Sequence, residues 1–142
     1  MYGDAEPPLF TDRCTARENG VASTQNKAVA ATAPSKPPFH PFLLGCRPAV
    51  AGFFAKVGRL RDLRVLAADE SQGLVLLSMV TDHAGDAATV TLDGTVIPVP
   101  APFLVPNSHY RAVLLKVRDG RIEHIEAITR PVFLGLDDGW DD

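Results

Sequence analysis

The clearest pattern in the chain is a double alternation over residues 108–130, SHYRAVLLKVRDGRIEHIEAITR. Apolar and polar positions exchange on either side of Asp119-Gly120, as in two strands joined by a tight turn. A two-residue loop sets Val117 opposite Ile122, Lys116 opposite Glu123 and Val113 opposite Glu126, and the opposite charges of Lys116 and Glu123 favour that register. One face then carries Tyr110, Ala112, Leu114, Lys116, Glu123, Ile125 and Ala127. The other carries His109, Arg111, Val113, Leu115, Val117, Ile122, His124, Glu126 and Ile128. This second face is mostly apolar, yet it holds two histidines, an arginine and a glutamate. Burying such groups unpaired is costly, so they pair with one another or line a cavity.

Elsewhere the pattern is simpler. Residues 1–8 read as a loose lead-in, and residues 9–21 contain a short strand ending at Asn19-Gly20. Residues 22–41 lack periodicity, are rich in Ala, Ser, Thr, Asn and Pro, and read as a long loop. Residues 42–60 form the best helix: Val50, Phe53, Phe54 and Val57 make one apolar stripe, Pro48 suits the first turn and Gly58 the end. The stripe is core material. Residues 63–68 and 74–82 read as strands around a turn at 69–73, the second one apolar enough for a central position. A weaker hairpin covers 88–92 and 95–99, turning at Asp93-Gly94. Pro98, Pro100, Pro102 and Pro106 then hold off regular pairing, and the last strand is expected to stop at Pro131. Residues 132–142 form an acidic tail with the only tryptophan, Trp140, packed over a sheet edge or closing a pocket mouth. The expectation is a single α+β domain over residues 1–142, with few helices packed on a curved antiparallel sheet.

Composition narrows the function classes. At 142 residues the chain can bury a core without disulfide or metal. A net charge of −3 leaves no basic excess for nucleic acid. The one basic concentration, Lys56, Arg59, Arg61 and Arg64, reads as a solvated helix end, with an anion contact as the alternative. Cys14 and Cys46 form no CxxC and read as small buried residues in a reducing compartment, with a disulfide as the alternative, so a cytoplasmic location is expected. No secretory signal and no membrane-spanning apolar run is visible. The four histidines, His40, His83, His109 and His124, have no metal-binding spacing, and no phosphate loop or nucleophile motif occurs; neither metal nor cofactor is expected.

Four stretches occur in an order that resembles a known group: Glu18-Asn19-Gly20, the DESQGLV run at 69–75, the hairpin at 116–127, and Gly139-Trp140. Together they resemble an uncharacterised SnoaL-like group of the nuclear transport factor two-like superfamily. That superfamily includes ketosteroid isomerase, SnoaL-type polyketide cyclases and limonene epoxide hydrolase. The resemblance implies a cone-shaped α+β fold holding a small hydrophobic molecule, cofactor-free acid/base chemistry and a homodimer. Two departures stand out. The cones usually begin with lidding helices, whereas this chain begins almost at its first strand. A glutamate common in the penultimate strand is replaced by Val113.

Candidate chemistry follows. Glu126 is the expected base or acid, with Arg111 placed diagonally across the hairpin and His124 on the same face to steady a developing oxyanion. A Glu126–Arg111 pair that merely ties the hairpin at a subunit interface is the structural alternative. Glu18 in the first strand is a further candidate, or a partner for the adjacent loop. His109, near a strand end, is expected to be solvent-exposed, and Asp82 and His83 to lie on opposite faces at a turn. The expected activity is isomerase-, cyclase-, dehydratase- or hydrolase-like, against a non-catalytic binding or interaction module as the alternative.

Overall fold

Strands dominate the computed structural model, which describes residues 9–32, 43–54, 56–92, 94–99, 101, 104–136 and 139. In chain order these are β1 (Phe10–Glu18), β2 (Val21–Ala22), helices α1 (Lys27–Thr32) and α2 (Cys46–Phe54), β3 (Arg59–Asp69), β4 (Leu74–His83), β5 (Thr89–Leu92), β6 (Thr95–Pro98), β7 (Asn107–Arg118) and β8 (Arg121–Phe133). Six strands form one curved open sheet in the order β2-β1-β8-β7-β4-β3, and β5-β6 make a separate hairpin. The fold is α+β, with few helices on a curved sheet, as the pattern predicts.

Four local expectations change. The sheet is mixed, because β1 runs parallel to β8, with Ala16 beside Ile125 and Glu18 beside Ala127. Residues 22–41 are not all loop: α1 forms there because Asn26 caps it, its Oδ1 accepting from the amides of Ala28 (3.0 Å) and Val29 (3.2 Å). The main helix is shorter than its apolar stripe, and Val57 already belongs to the turn that leads into β3. β8 runs through Pro131 to Phe133. β1 leaves β8 at Ala127, so past that point β8 has a free edge where a missing amide costs nothing. His40, the turn residue Asp93, Trp140 and the lead-in at 1–8 lie outside the described residues.

The largest correction is in the organising hairpin. Val117 faces Ile122 as expected, but the register then shifts, so that Lys116 faces His124, Leu114 faces Glu126 and Val113 faces Ala127. Glu123 is the extra residue of a β-bulge, and it pairs with Arg118 (3.3 Å) instead of Lys116. Because side chains alternate with period two, one inserted residue turns every later side chain of β8 to the other face. His124 and Glu126 therefore leave the face of His109 and Arg111.

Cys14 and Cys46 are joined in a disulfide, not free. Both are buried, with Ala16 beside them and Phe10, Ile122 and Ile125 packed around. The bridge ties α2 to β1 and so fixes the helix against the sheet. A second small core joins Leu44, Ile97 and Val90, which anchors the β5-β6 hairpin near the start of α2. No helix among the described residues is long and apolar enough to cross a membrane.

The turn between β3 and β4 shows why its sequence reads DESQG. Asp69 Oδ1 accepts from Ser71 Oγ (2.6 Å) and the Gln72 amide (3.0 Å), and Gly73 closes the turn at φ +62°. A side chain at Gly73 would collide with the carbonyl oxygen of Val117.

Candidate functional site

The inner face of the sheet is set by three neighbouring strands. Thr81 faces His109, Met79 faces Arg111 and Leu77 faces Val113 across β4 and β7. Directly opposed residues project to the same side, so these three pairs, His83 and the β8 residues Ala127 and Thr129 share one surface. β1 adds Glu18 beside Ala127. Helix α2, held down by its disulfide, closes over this surface and brings Phe53 and, just beyond its last turn, Lys56.

Arg111 is the centre. Its side chain is 7% exposed, and its Nη1 lies 3.2 Å from Glu18 Oε1. The Phe53 ring covers the guanidinium at 3.9 Å from its carbon, a cation–π stack. Arg111 Nε makes no hydrogen bond among the described residues. Glu18 is also held by Thr129 Oγ1, which donates at 2.7 Å, and its side chain is 39% exposed. The carboxylate is thus aimed by two partners and still reachable from outside.

Two of the histidines are buried. His83 is 1% exposed, with Nδ1 2.8 Å from the Lys56 carbonyl oxygen. A carbonyl only accepts, so Nδ1 carries the proton and Nε2 accepts from Thr81 Oγ1 at 3.2 Å. The His83 and His109 rings lie 4.6 Å apart. Burial lowers the His83 pKa despite the Lys56 carbonyl, and burial together with His83 and Arg111 pushes His109 down to about 4. Burial lowers Lys56 as well, with Glu18 opposing it and Arg111 assisting.

The outer face holds a separate chain. Thr15 Oγ1 lies 2.7 Å from His124 Nδ1, and His124 Nε2 lies 3.4 Å from Glu126 Oε2. Asp82, on this face, pairs with Arg61 (3.1 Å) and accepts from Ser108 Oγ (2.6 Å), which hold its carboxyl below its usual pKa against the pull of burial. Tyr110 and Arg61 both donate to the Leu136 carbonyl and pin residues 133–136 down. Arg61 is thereby a structural arginine and Lys56 belongs to the inner site, so only part of the basic cluster is a solvated helix end.

Of the expected site residues, the structure brings Glu18 and Arg111 together and sets Glu126 and His124 apart from them. Glu18 replaces Glu126 as the partner of Arg111. His109 is 5% exposed, not solvent-facing, because β7 continues beyond it under α2. Thr81, His83, Phe53 and Lys56 complete the cluster; sequence reading had Lys56 as an anion contact only in its alternative and missed the other three as site residues. For Thr81 and His83 the signal was the alternation Leu77, Met79, Thr81, His83, which marks one face of β4 but not which face is covered.

Two hollows flank α2. One of about 110 Å³ is lined by Lys56, Gly58, Gly85 and Val99 among others. The other, of about 290 Å³, lies beside the disulfide, with Asp12, Gln25 and Arg47 on its walls.

Over residues 2–129 the sequence matches the family described as "Domain of unknown function (DUF8021)". The chain belongs to that family. No curated protein matches the sequence. Among solved structures this DUF8021 member is similar to one titled "Crystal Structure of AclR a putative hydroxylase from Streptomyces galilaeus". The TM-score is 0.45 at 12% identity, over 86% of this chain and 63% of that one, so the chain spans less than two thirds of that protein's length.

Proposed function

We propose that this DUF8021 member is a cofactor-independent small-molecule protein working by acid/base chemistry from the inner face, with Glu18 and Arg111 at its centre. The observation that carries this reading is a nine-tenths-buried arginine, fixed by one accessible carboxylate and one aromatic ring, beside two buried histidines. Such an assembly adds nothing to hairpin stability that apolar residues would not supply, and it places a proton acceptor next to fixed donors. In this scheme the Glu18 carboxylate takes a proton from the substrate or from water, and Arg111 stabilises the oxyanion that develops. Glu126 and His124 have no part in it. The SnoaL-like resemblance supports the same reading, with a hydrophobic metabolite as substrate and an isomerase, cyclase, dehydratase or hydrolase outcome. The disulfide supports an oxidising compartment rather than the cytoplasm.

A thermal-shift screen of the wild type against steroid, terpenoid-epoxide and polyketide-like ligands tests it. A ligand present at about a hundred times its Kd stabilises the folded state by about 2.7 kcal/mol. Glu18→Gln should remove turnover of any hit, and Glu126→Gln should leave it intact. The opposite pattern would refute the assignment.

A second reading, a homodimeric interaction module, is favoured by the exposed apolar side chains of Leu63, Val65, Ile128 and Phe133. Sedimentation of wild type against Val65→Asp measures it directly: a dimer that dissociates in the variant supports this reading.

A further inference from the structure

The hollow of about 290 Å³ beside the disulfide is separate from the inner face. Three segments bound it: the start of β1, Gln25 ahead of α1, and Gly45 with the first turn of α2. The Cys14–Cys46 bridge holds the first and third of these together. The Gln25 amide donates to the Leu44 carbonyl at 3.1 Å and holds the second against them. Its shape is therefore set by cross-links between distant parts of the chain. Its wall carries one charge of each sign. Asp12 and Arg47 line it, and neither side chain pairs with the other or with another described residue. The Gln25 carboxamide on the same wall also makes no hydrogen bond with a described residue. In the wall itself, Thr11 Oγ1 is buried without a hydrogen-bond partner. Elsewhere the protein answers its own charges: Arg111 meets Glu18, Asp82 meets Arg61 and Glu123 meets Arg118.

We infer that this hollow binds a small zwitterion of the α-amino-acid kind with an apolar side chain. Its carboxylate meets Arg47, and its ammonium meets Asp12 and donates to the Gln25 carboxamide oxygen. Two opposite charges that share one hollow without meeting each other leave a place for an anion and a place for a cation. A ligand with a single charge gains from one of them and is repelled by the other, whereas a zwitterion gains from both. Half-buried Phe10 and Pro48, with the disulfide, supply the apolar part of the wall for the side chain. The volume lies at the small end of ligand clefts, which suits an amino acid and not a polycyclic body. Glu18, Arg111 and the buried histidines take no part in this binding, so it goes beyond the inner-face chemistry and does not depend on it.

The test titrates L-leucine into the full chain with the disulfide intact. Beside it run N-acetyl-L-leucine, which keeps only the negative charge, and L-leucinamide, which keeps only the positive one slightly below neutral pH. Binding is followed through the backbone amide signals in NMR spectra. Leucine should bind about fivefold or more tightly than either derivative, the gain from one further, partly exposed ion pair. It should move the signals of Gln25, Gly45 and Arg47 and leave those of Thr81 and His109 in place. Asp12 and Arg47 are exposed, so their variants should keep the fold. Asp12→Asn should remove the advantage of leucine over N-acetyl-leucine, and Arg47→Gln its advantage over leucinamide. Equal binding of all three at this hollow would overturn the zwitterion assignment, as would an advantage that survives both variants. Shifts at Thr81 and His109 in place of Gln25 and Gly45 would put the ligand on the inner face and overturn the site. No shift at millimolar leucine would overturn it as well.

Discussion

Breaking the Cys14–Cys46 bridge is the most direct test of how this fold holds its site. The bridge closes a loop with a sequence separation of 32 residues. In the chain-entropy description, freeing such a loop in the unfolded state gives it about 12.4 cal/mol/K, worth about 3.7 kcal/mol at 25 °C. A chain of 142 residues has an unfolding entropy of about 300 cal/mol/K, so the melting temperature should fall by about 12 °C. Both sulfurs are buried, so Cys14→Ala with Cys46→Ala adds packing loss on top. Differential scanning calorimetry of the double variant, and of wild type with and without a reductant, measures the change. The loss should reach the site as well, because the bridge holds α2 and thus Phe53 and Lys56 over Arg111. Near-ultraviolet circular dichroism should report altered phenylalanine signals. A fall under about 3 °C, or two thiols titrating in the native protein purified without reductant, would refute the argument.

Other outcomes follow from the same structure. His83 and His109 have pKa values below their unfolded value, so the unfolded chain binds more protons than the folded one as pH falls below about 6.5. Stability is therefore full above that pH and declines towards pH 4; the urea midpoint should be lower at pH 5 than at pH 7, and equal midpoints would contradict neutral burial. Gly73→Ala forces a side chain against Val117 at a left-handed φ and should cost about 2 kcal/mol or more in urea unfolding. Asn26→Ala removes the cap of α1 and should cost about 1 kcal/mol or less, since the helix is short and exposed. Deleting Glu123 removes the bulge yet leaves Lys116 opposite His124 and Val113 opposite Ala127, so hydrogen exchange along β8 should keep the protection of residues 124–129, and loss of that protection would contradict the register.

Much of this molecule is written locally. Period-two alternation located β1, β7 and β8, an apolar run and the turn before it located β4 and β3, and the turn pairs Asn19-Gly20 and Asp119-Gly120 take the positive φ values such turns need. The apolar stripe with Pro48 near its start located α2. Arg111 and Glu18 were legible as chemical candidates because charged groups in half-apolar strands need a reason. These features depend on residues a few positions apart, and so the sequence alone could determine them.

What the chain could not disclose depends on contacts distant in sequence. One bulge at Glu123 reversed the faces of His124 and Glu126, and nothing in the alternation of residues 121–130 marks it, because the shift is shared with the bend where β1 joins β8. The parallel pairing of β1 with β8 links opposite ends of the chain, and it alone carries Glu18 to Arg111. The disulfide needed the same long-range placement, since two cysteines far apart carry no sign of proximity. Local periodicity thus determined the strands, the helix and the turns. Only the tertiary structure decided which face is covered and which carboxylate meets the arginine, because register and strand partnership are energies of the whole sheet, not of any one segment.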